Sequence, residues 1–143
     1  MQVRDAMTKP VLVVGPEHTL RQAAQLMAAR RVGSCIVHDP DGEGVGIMTE
    51  RDLLYAIGAG ANPDVEYTNG HITWEVVYAR PDWSLEEAAL AMARGGFRHL
   101  VVMEEDDVLG IISVRDVMRV WAHFRASQAA AQAAPAEASA AAV

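Results

Sequence analysis

Residues Gly46 to Asp52 read G-I-M-T-E-R-D, and residues Gly110 to Asp116 read G-I-I-S-V-R-D. The two phrases share the pattern G-h-h-[TS]-x-x-D, with h apolar, and self-similarity of this kind organises a chain before any local motif does. Working outward, Thr19 to Met27 reads T-L-R-Q-A-A-Q-L-M and Ser84 to Met92 reads S-L-E-E-A-A-L-A-M. The same 65-residue offset that joins Thr19 to Ser84 joins Pro16 to Pro81 and Ile36-Val37 to Val101-Val102. Between the G-h-h phrases the offset is 64, so one residue has been lost in the Asp39–Gly44 turn, where length changes cost little.

Each copy reads as β-α-β-β-α. Val11 to Val14 and Glu75 to Tyr78 are short β-rich runs closed by Gly15-Pro16 and Arg80-Pro81. Thr19 with Gln22, and Ser84 with Glu87, have the spacing of capping boxes, and Leu20, Ala23, Ala24 and Met27 follow the i, i+3, i+4, i+7 rule of a buried helix face. Gly33 and Gly95-Gly96 are the expected helix stops. Hairpins follow at Ser34–His38 with Val45–Met48 and at Arg98–Met103 with Val108–Ile112, running into helices that begin at Thr49 and Ser113. Leu53, Leu54 and Ile57, and in the second copy Val117, Met118 and Trp121, supply apolar stripes; Met27, Met48, Met92 and Met118 are expected in the core. The expected class is α/β (α+β): repeat one at 1–60, a connector at 61–70, repeat two at 71–125, and an Ala-rich tail at 126–143 that is helical to Pro135 and disordered beyond. A unit of this size buries too little surface alone, so the copies are expected to pack about a pseudo-two-fold axis.

Composition narrows the function. Twelve Lys and Arg against 19 Asp and Glu give a net charge of −7 over 143 residues, which disfavours nucleic acid and anionic membrane as partners. The chain is too short for a separate catalytic domain. A lone Cys35 excludes an internal disulfide and reads as a small packed hydrophobe. Val11 to Val14 is too short for a signal peptide or a membrane span, so a cytoplasmic location is the default expectation. His18, His38, His71 and His123 lack metal-ligand spacing, and Asp39–Glu43 lacks the calcium-loop pattern and reads as a hairpin turn. Trp74 and Trp83 are expected to be buried beside the first strand of the second copy. No activated nucleophile, carboxylate pair or metal motif stands on recognisable spacing, so the chain is not expected to be an enzyme.

Two tandem copies in register, each ending in G-h-h-[TS]-x-x-D, with Met7-Thr8 near the start and Arg98-His99-Leu100-Val101-Val102 ahead of the second motif, resemble a stand-alone cystathionine-β-synthase (CBS) domain pair, or Bateman module. The resemblance runs from Val3 to about Phe124. It implies an adenosine-containing ligand between the repeats: AMP, ADP or ATP, or less readily S-adenosylmethionine or NAD. It also implies ribose hydroxyls on Asp52 and Asp116, phosphate on Thr49 and Ser113, a homodimer formed through exposed helices, and a protein partner that reads the ligand state.

The residues themselves agree with that placement. The motif stands where a strand enters a helix, so backbone N–H groups and the positive helix end face an anion. Arg51, Arg115, Arg98 and His99 are candidates to supply positive charge, whereas Gly33-Ser34 replaces Arg98-His99 in copy one, so unequal clefts are expected. The pattern [TS]-x-x-D is equally a helix-capping box that needs no ligand. Only binding needs the preceding Gly-h-h strand and an open cleft. The leading expectation is a regulatory nucleotide-binding module; the alternative is a ligand-free dimerisation or protein-docking domain.

Overall fold

The computed structural model describes residues 1–39, 41–42 and 44–141. Its elements run α1 (Val3–Ala6), β1 (Val13–Val14), α2 (Leu20–Arg30), β2 (Ser34–Asp39), β3 (Gly44–Thr49) and α3 (Glu50–Gly58), then a 3-10 turn at Thr68–Gly70, β4 (Tyr78–Ala79), α4 (Leu85–Gly95), β5 (His99–Glu104), β6 (Asp107–Ser113) and α5 (Val114–Ala141). Two three-stranded sheets form, β1-β2-β3 and β4-β5-β6. In each, the first pair is parallel and the second antiparallel. Val13 lies opposite Ile36 and Tyr78 opposite Val101, the same pairing moved by the repeat offset. The Asp39–Gly44 hairpin closes as expected, although Pro40 and Glu43 lie outside the described residues.

Local chemistry explains the helix boundaries. The Thr19 hydroxyl accepts the Gln22 amide while the Gln22 side chain accepts the Thr19 amide, and Ser84 with Glu87 does the same for α4. At the other end α4 stops on Gly96, left-handed at φ 71°. Its counterpart in α2 is Arg31 at φ 54°, so the expected stop at Gly33 comes two residues late and a side-chain-bearing residue takes the glycine conformation.

The strands bury both faces, which is why β2 and β5 read as unbroken apolar runs. One face of each sheet packs on its own helices: Leu20, Met27, Cys35 and Met48 in the first half, Met92, Leu100 and Ile112 in the second. The other faces meet through Ile36, Ile47, Val101 and Ile111, the seam between the halves.

The seam is reinforced by an exchange of chain. Val3 and Ala6 of the N-terminal arm pack in the core of the second half, where the Val3 amide donates to Trp83 O at 2.8 Å and the Thr8 amide to Ile111 O at 2.8 Å. Reciprocally, the stretch expected to be a plain connector lies along the first half. The Leu20 amide donates to Glu66 O at 3.0 Å, Thr73 pairs with Ile47, and Ile72 and Trp74 pack on the first core. Thr8 and Thr73 stand one repeat offset apart, so each half borrows its arm from the other's leading segment.

The crossing arms require the strand glycines. A Cβ on Gly46 would come within 3.0 Å of Thr73 O, and one on Gly110 within 2.9 Å of Thr8 O. The glycine that opens each G-h-h phrase therefore has a packing reason independent of any ligand. This corrects the idea that only binding accounts for that strand.

Two further expectations are revised. Of the four methionines expected in the core, Met27, Met48 and Met92 are buried, but Met118 is 54% exposed, as are Leu54 (68%), Ile57 (52%) and Trp121 (57%). Of the residues read as those stripes, Leu53 and Val117 turn inward, joined by Ala56 of α3 and Val120 of α5. And α5 continues through Pro135 to Ala141, because the surrounding alanines carry the highest helix propensity.

Candidate functional site

Thr49 caps α3 from the end of β3. Asp52, one turn in, uses Oδ2 to accept both the Thr49 amide at 2.7 Å and the Thr49 hydroxyl at 3.1 Å. Ser113 and Asp116 repeat this at α5, at 2.8 Å and 2.9 Å. Both motifs are thus working capping boxes. The second carboxylate oxygens differ. Asp116 Oδ1 accepts the Arg119 guanidinium at 3.0 Å and the Thr8 hydroxyl at 3.4 Å, leaving the residue 4% exposed. Asp52 Oδ1 accepts no side-chain hydrogen bond among the described residues, and Tyr55, which stands where α5 has Arg119, is exposed.

A cleft opens beside each motif, between the halves. Cleft one, about 200 Å³, joins Thr49, Arg51 and Asp52 to Arg98 and His99 of the other half, with Val76 and Val77 from the crossing segment. Cleft two, about 530 Å³, joins Ser113, Arg115 and Asp116 to Gly33 and Ser34, with Val11 and Leu12 on the matching side. All eight residues singled out from the sequence therefore line one cleft or the other. Arg98 and His99 line both, together with Glu50.

The clefts are unequal. Cleft two, to which the first half contributes Gly33-Ser34, is lined by five arginines (Arg30, Arg31, Arg98, Arg115 and Arg119) against Glu50 and Asp116. Cleft one has Arg51 and Arg98 against three carboxylates, Glu50, Asp52 and Glu75. The sequence reading missed Arg30, Arg31 and Arg119. The first two sit at the end of a helix read only for its apolar face; the third was findable as i+3 from Asp116.

Burial pushes the His99 imidazole below its ordinary value, against the pull of Glu50, so the ring is neutral near pH 7 and able to accept a hydrogen bond. Its Nε2 and the Glu50 carboxylate both lie close beside Gly33, in the wall common to both clefts. Cys35 is wholly buried in the first core, its thiol pushed up to about 12 by desolvation and then by Asp52, and behaves as the packed hydrophobe expected. Trp74 and Trp83 are half-buried against the two cores. Among the described residues no helix is long and apolar enough to cross a membrane.

Comparison with known proteins agrees with this architecture. The CBS domain-containing protein YhcV of Bacillus subtilis is 31% identical over 117 residues, 80% of this chain and 81% of its own. The solved CBS-domain-containing protein of Agrobacterium tumefaciens matches with a TM-score of 0.75 at 32% identity, covering 84% of this chain and 98% of that one. A CBS domain protein of Pyrobaculum aerophilum, solved in complex with AMP, shares the fold with a TM-score of 0.73 at 24% identity, over 81% of this chain and 89% of that one. The model of the CBS domain itself matches twice, over residues 3–59 and 70–123, the two halves that the repeated G-h-h-[TS]-x-x-D phrase delimits. The chain belongs to the CBS-domain family and carries two such domains in tandem.

Proposed function

We propose that this protein is a regulatory module that binds an adenine nucleotide, or a related adenosyl ligand, in the clefts between its two CBS domains and signals by a change in their relative position. The observation that carries the reading is the composition of the clefts. Each combines a helix N-terminus, a capping hydroxyl, a carboxylate one turn in and at least two arginines, with apolar residues of the crossing segment opposite. A hydroxyl and arginines there suit phosphate, a carboxylate suits a ribose diol, and apolar walls suit a base. The AMP bound by the Pyrobaculum aerophilum protein supports the ligand class. Because the clefts lie between the halves, a ligand that touches both can shift their equilibrium. AMP, ADP and ATP fit the arginines better than S-adenosylmethionine or NAD does.

Titration calorimetry with AMP, ADP, ATP, NAD and S-adenosylmethionine tests this, repeated on Asp52→Asn and Ser113→Ala with circular dichroism as the folding control. Saturable heat with one adenosyl compound, reduced in a folded variant, is the expected result. Silence across the panel would overturn it.

A ligand-free docking or dimerisation role is the second reading. It is favoured by the exposed Leu54, Ile57, Met118 and Trp121 on α3 and α5, and by capping boxes and strand glycines that are explained without a ligand. A homodimer through those helices fits both readings. Trp121→Glu should halve the mass in sedimentation and leave the ligand titration measurable; an unchanged mass would remove these helices from the interface.

A further inference from the structure

We infer that the two clefts are tuned to different charge classes of ligand, and that cleft two selects a nucleoside polyphosphate through Arg31 and Arg119. The inference rests on the adenosyl reading above and narrows it for one site.

The repeat supplies its own control, because each position in one cleft has a counterpart in the other. Arg115 corresponds to Arg51, but Arg30 and Arg31 correspond to Gly95 and Gly96, and Arg119 corresponds to Tyr55. Three of the arginines around cleft two therefore belong to that cleft alone. Their sum, against two carboxylates, leaves a net positive wall in a protein whose overall charge is −7. Cleft one, with more carboxylates than arginines and less than half the volume, has neither the charge nor the room for several phosphates.

Arg31 adds an independent sign. It holds a left-handed conformation, φ 54°, at a helix end where its counterpart is glycine at φ 71°. A side chain kept in that conformation beside a cavity points to use of the guanidinium.

Arg119 connects charge to selection. It covers Asp116 Oδ1 at 3.0 Å, so the carboxylate that would receive a ribose diol is already paired, with Oδ2 held by Ser113. A ligand without phosphate must break that pair with nothing to offer the arginine. A polyphosphate offers it bidentate oxygens, drawing the guanidinium from Asp116 and leaving Oδ1 with the long Thr8 contact alone. Among the described residues cleft one has no such cover over Asp52 and makes no such demand.

The test titrates adenosine, AMP, ADP and ATP into the full chain and into the Arg31→Gly/Arg119→Ala double variant. Arg31→Gly copies the conformation of Gly96, and Arg119 is exposed, so the variant is expected to fold; circular dichroism checks this. The expected result is a ladder in the wild type, with ATP at least about tenfold tighter than AMP at one site. In the double variant the ladder collapses to within about threefold. Equal affinities along the wild-type series, or a ladder that survives in the double variant, would overturn the inference and leave the adenosyl reading intact. Absence of heat with all four compounds would overturn the inference; only if NAD and S-adenosylmethionine are silent as well does the adenosyl reading fall with it.

Discussion

The hydroxyl of Thr68 donates to the carbonyl of Gly15 at 2.8 Å, fully buried, and so fastens the segment between the two CBS domains to the first of them. Thr68 also gives its amide to His18 O at 2.8 Å, a second bond to the first half. Thr68→Val keeps the shape and removes the donor, stranding the Gly15 carbonyl. The expected loss is about 1–3 kcal/mol in urea unfolding. A midpoint unchanged from wild type would show that the bond holds nothing.

Gly46→Ala pushes a methyl group to 3.0 Å from the Thr73 carbonyl and 2.9 Å from the Trp74 ring. Backbone cannot give way as a flexible side chain does, so the arm must lift. Destabilisation of about 1–3 kcal/mol is expected, with increased amide exchange at Thr73. Retained protection at Thr73 would contradict the crossing geometry.

Arg31→Gly works in the other direction. Relieving a left-handed arginine should raise stability by about 1 kcal/mol, read as a higher thermal midpoint. Paired with weaker ATP binding, this would be a trade of stability for function.

His99 sets a pH dependence. Its imidazole is held neutral by burial, below its ordinary value of 6.5, so the unfolded chain takes up a proton before the folded one does. Its contribution is intact above about pH 6.5 and declines as the pH falls through that value. The thermal midpoint of the wild type should drop more between pH 7.5 and 5.5 than that of His99→Gln. Parallel curves would mean that folding leaves the proton affinity of His99 unchanged.

Much of this architecture was legible because the chain states it twice. Thr19 with Gln22 and Ser84 with Glu87 are local devices whose spacing is their mechanism, and both form as read. The pairing of Val13 with Ile36 follows once Tyr78 and Val101 show the same offset. What periodicity could not convey was which half each arm serves. Val3 and Thr68 look alike from either side, and the choice is made by bonds to Trp83 and Gly15 far along the chain. The site residues were likewise legible inside the motif and illegible outside it. Asp52 and Asp116 carry the same letter, and while Arg119 stands one turn from Asp116 in the sequence, only the folded chain brings Thr8 to it.

The exchange of arms also governs how the molecule comes apart. Thr8 reaches Asp116 across 108 residues, and the seam of Ile36, Ile47, Val101 and Ile111 closes only when both sheets are present. A fragment cut at the 3–59 boundary would carry the arm its neighbour needs and lack its own. Two domains by sequence are therefore one unit in unfolding: a single cooperative transition set by long-range closure, with no half able to persist while the other melts.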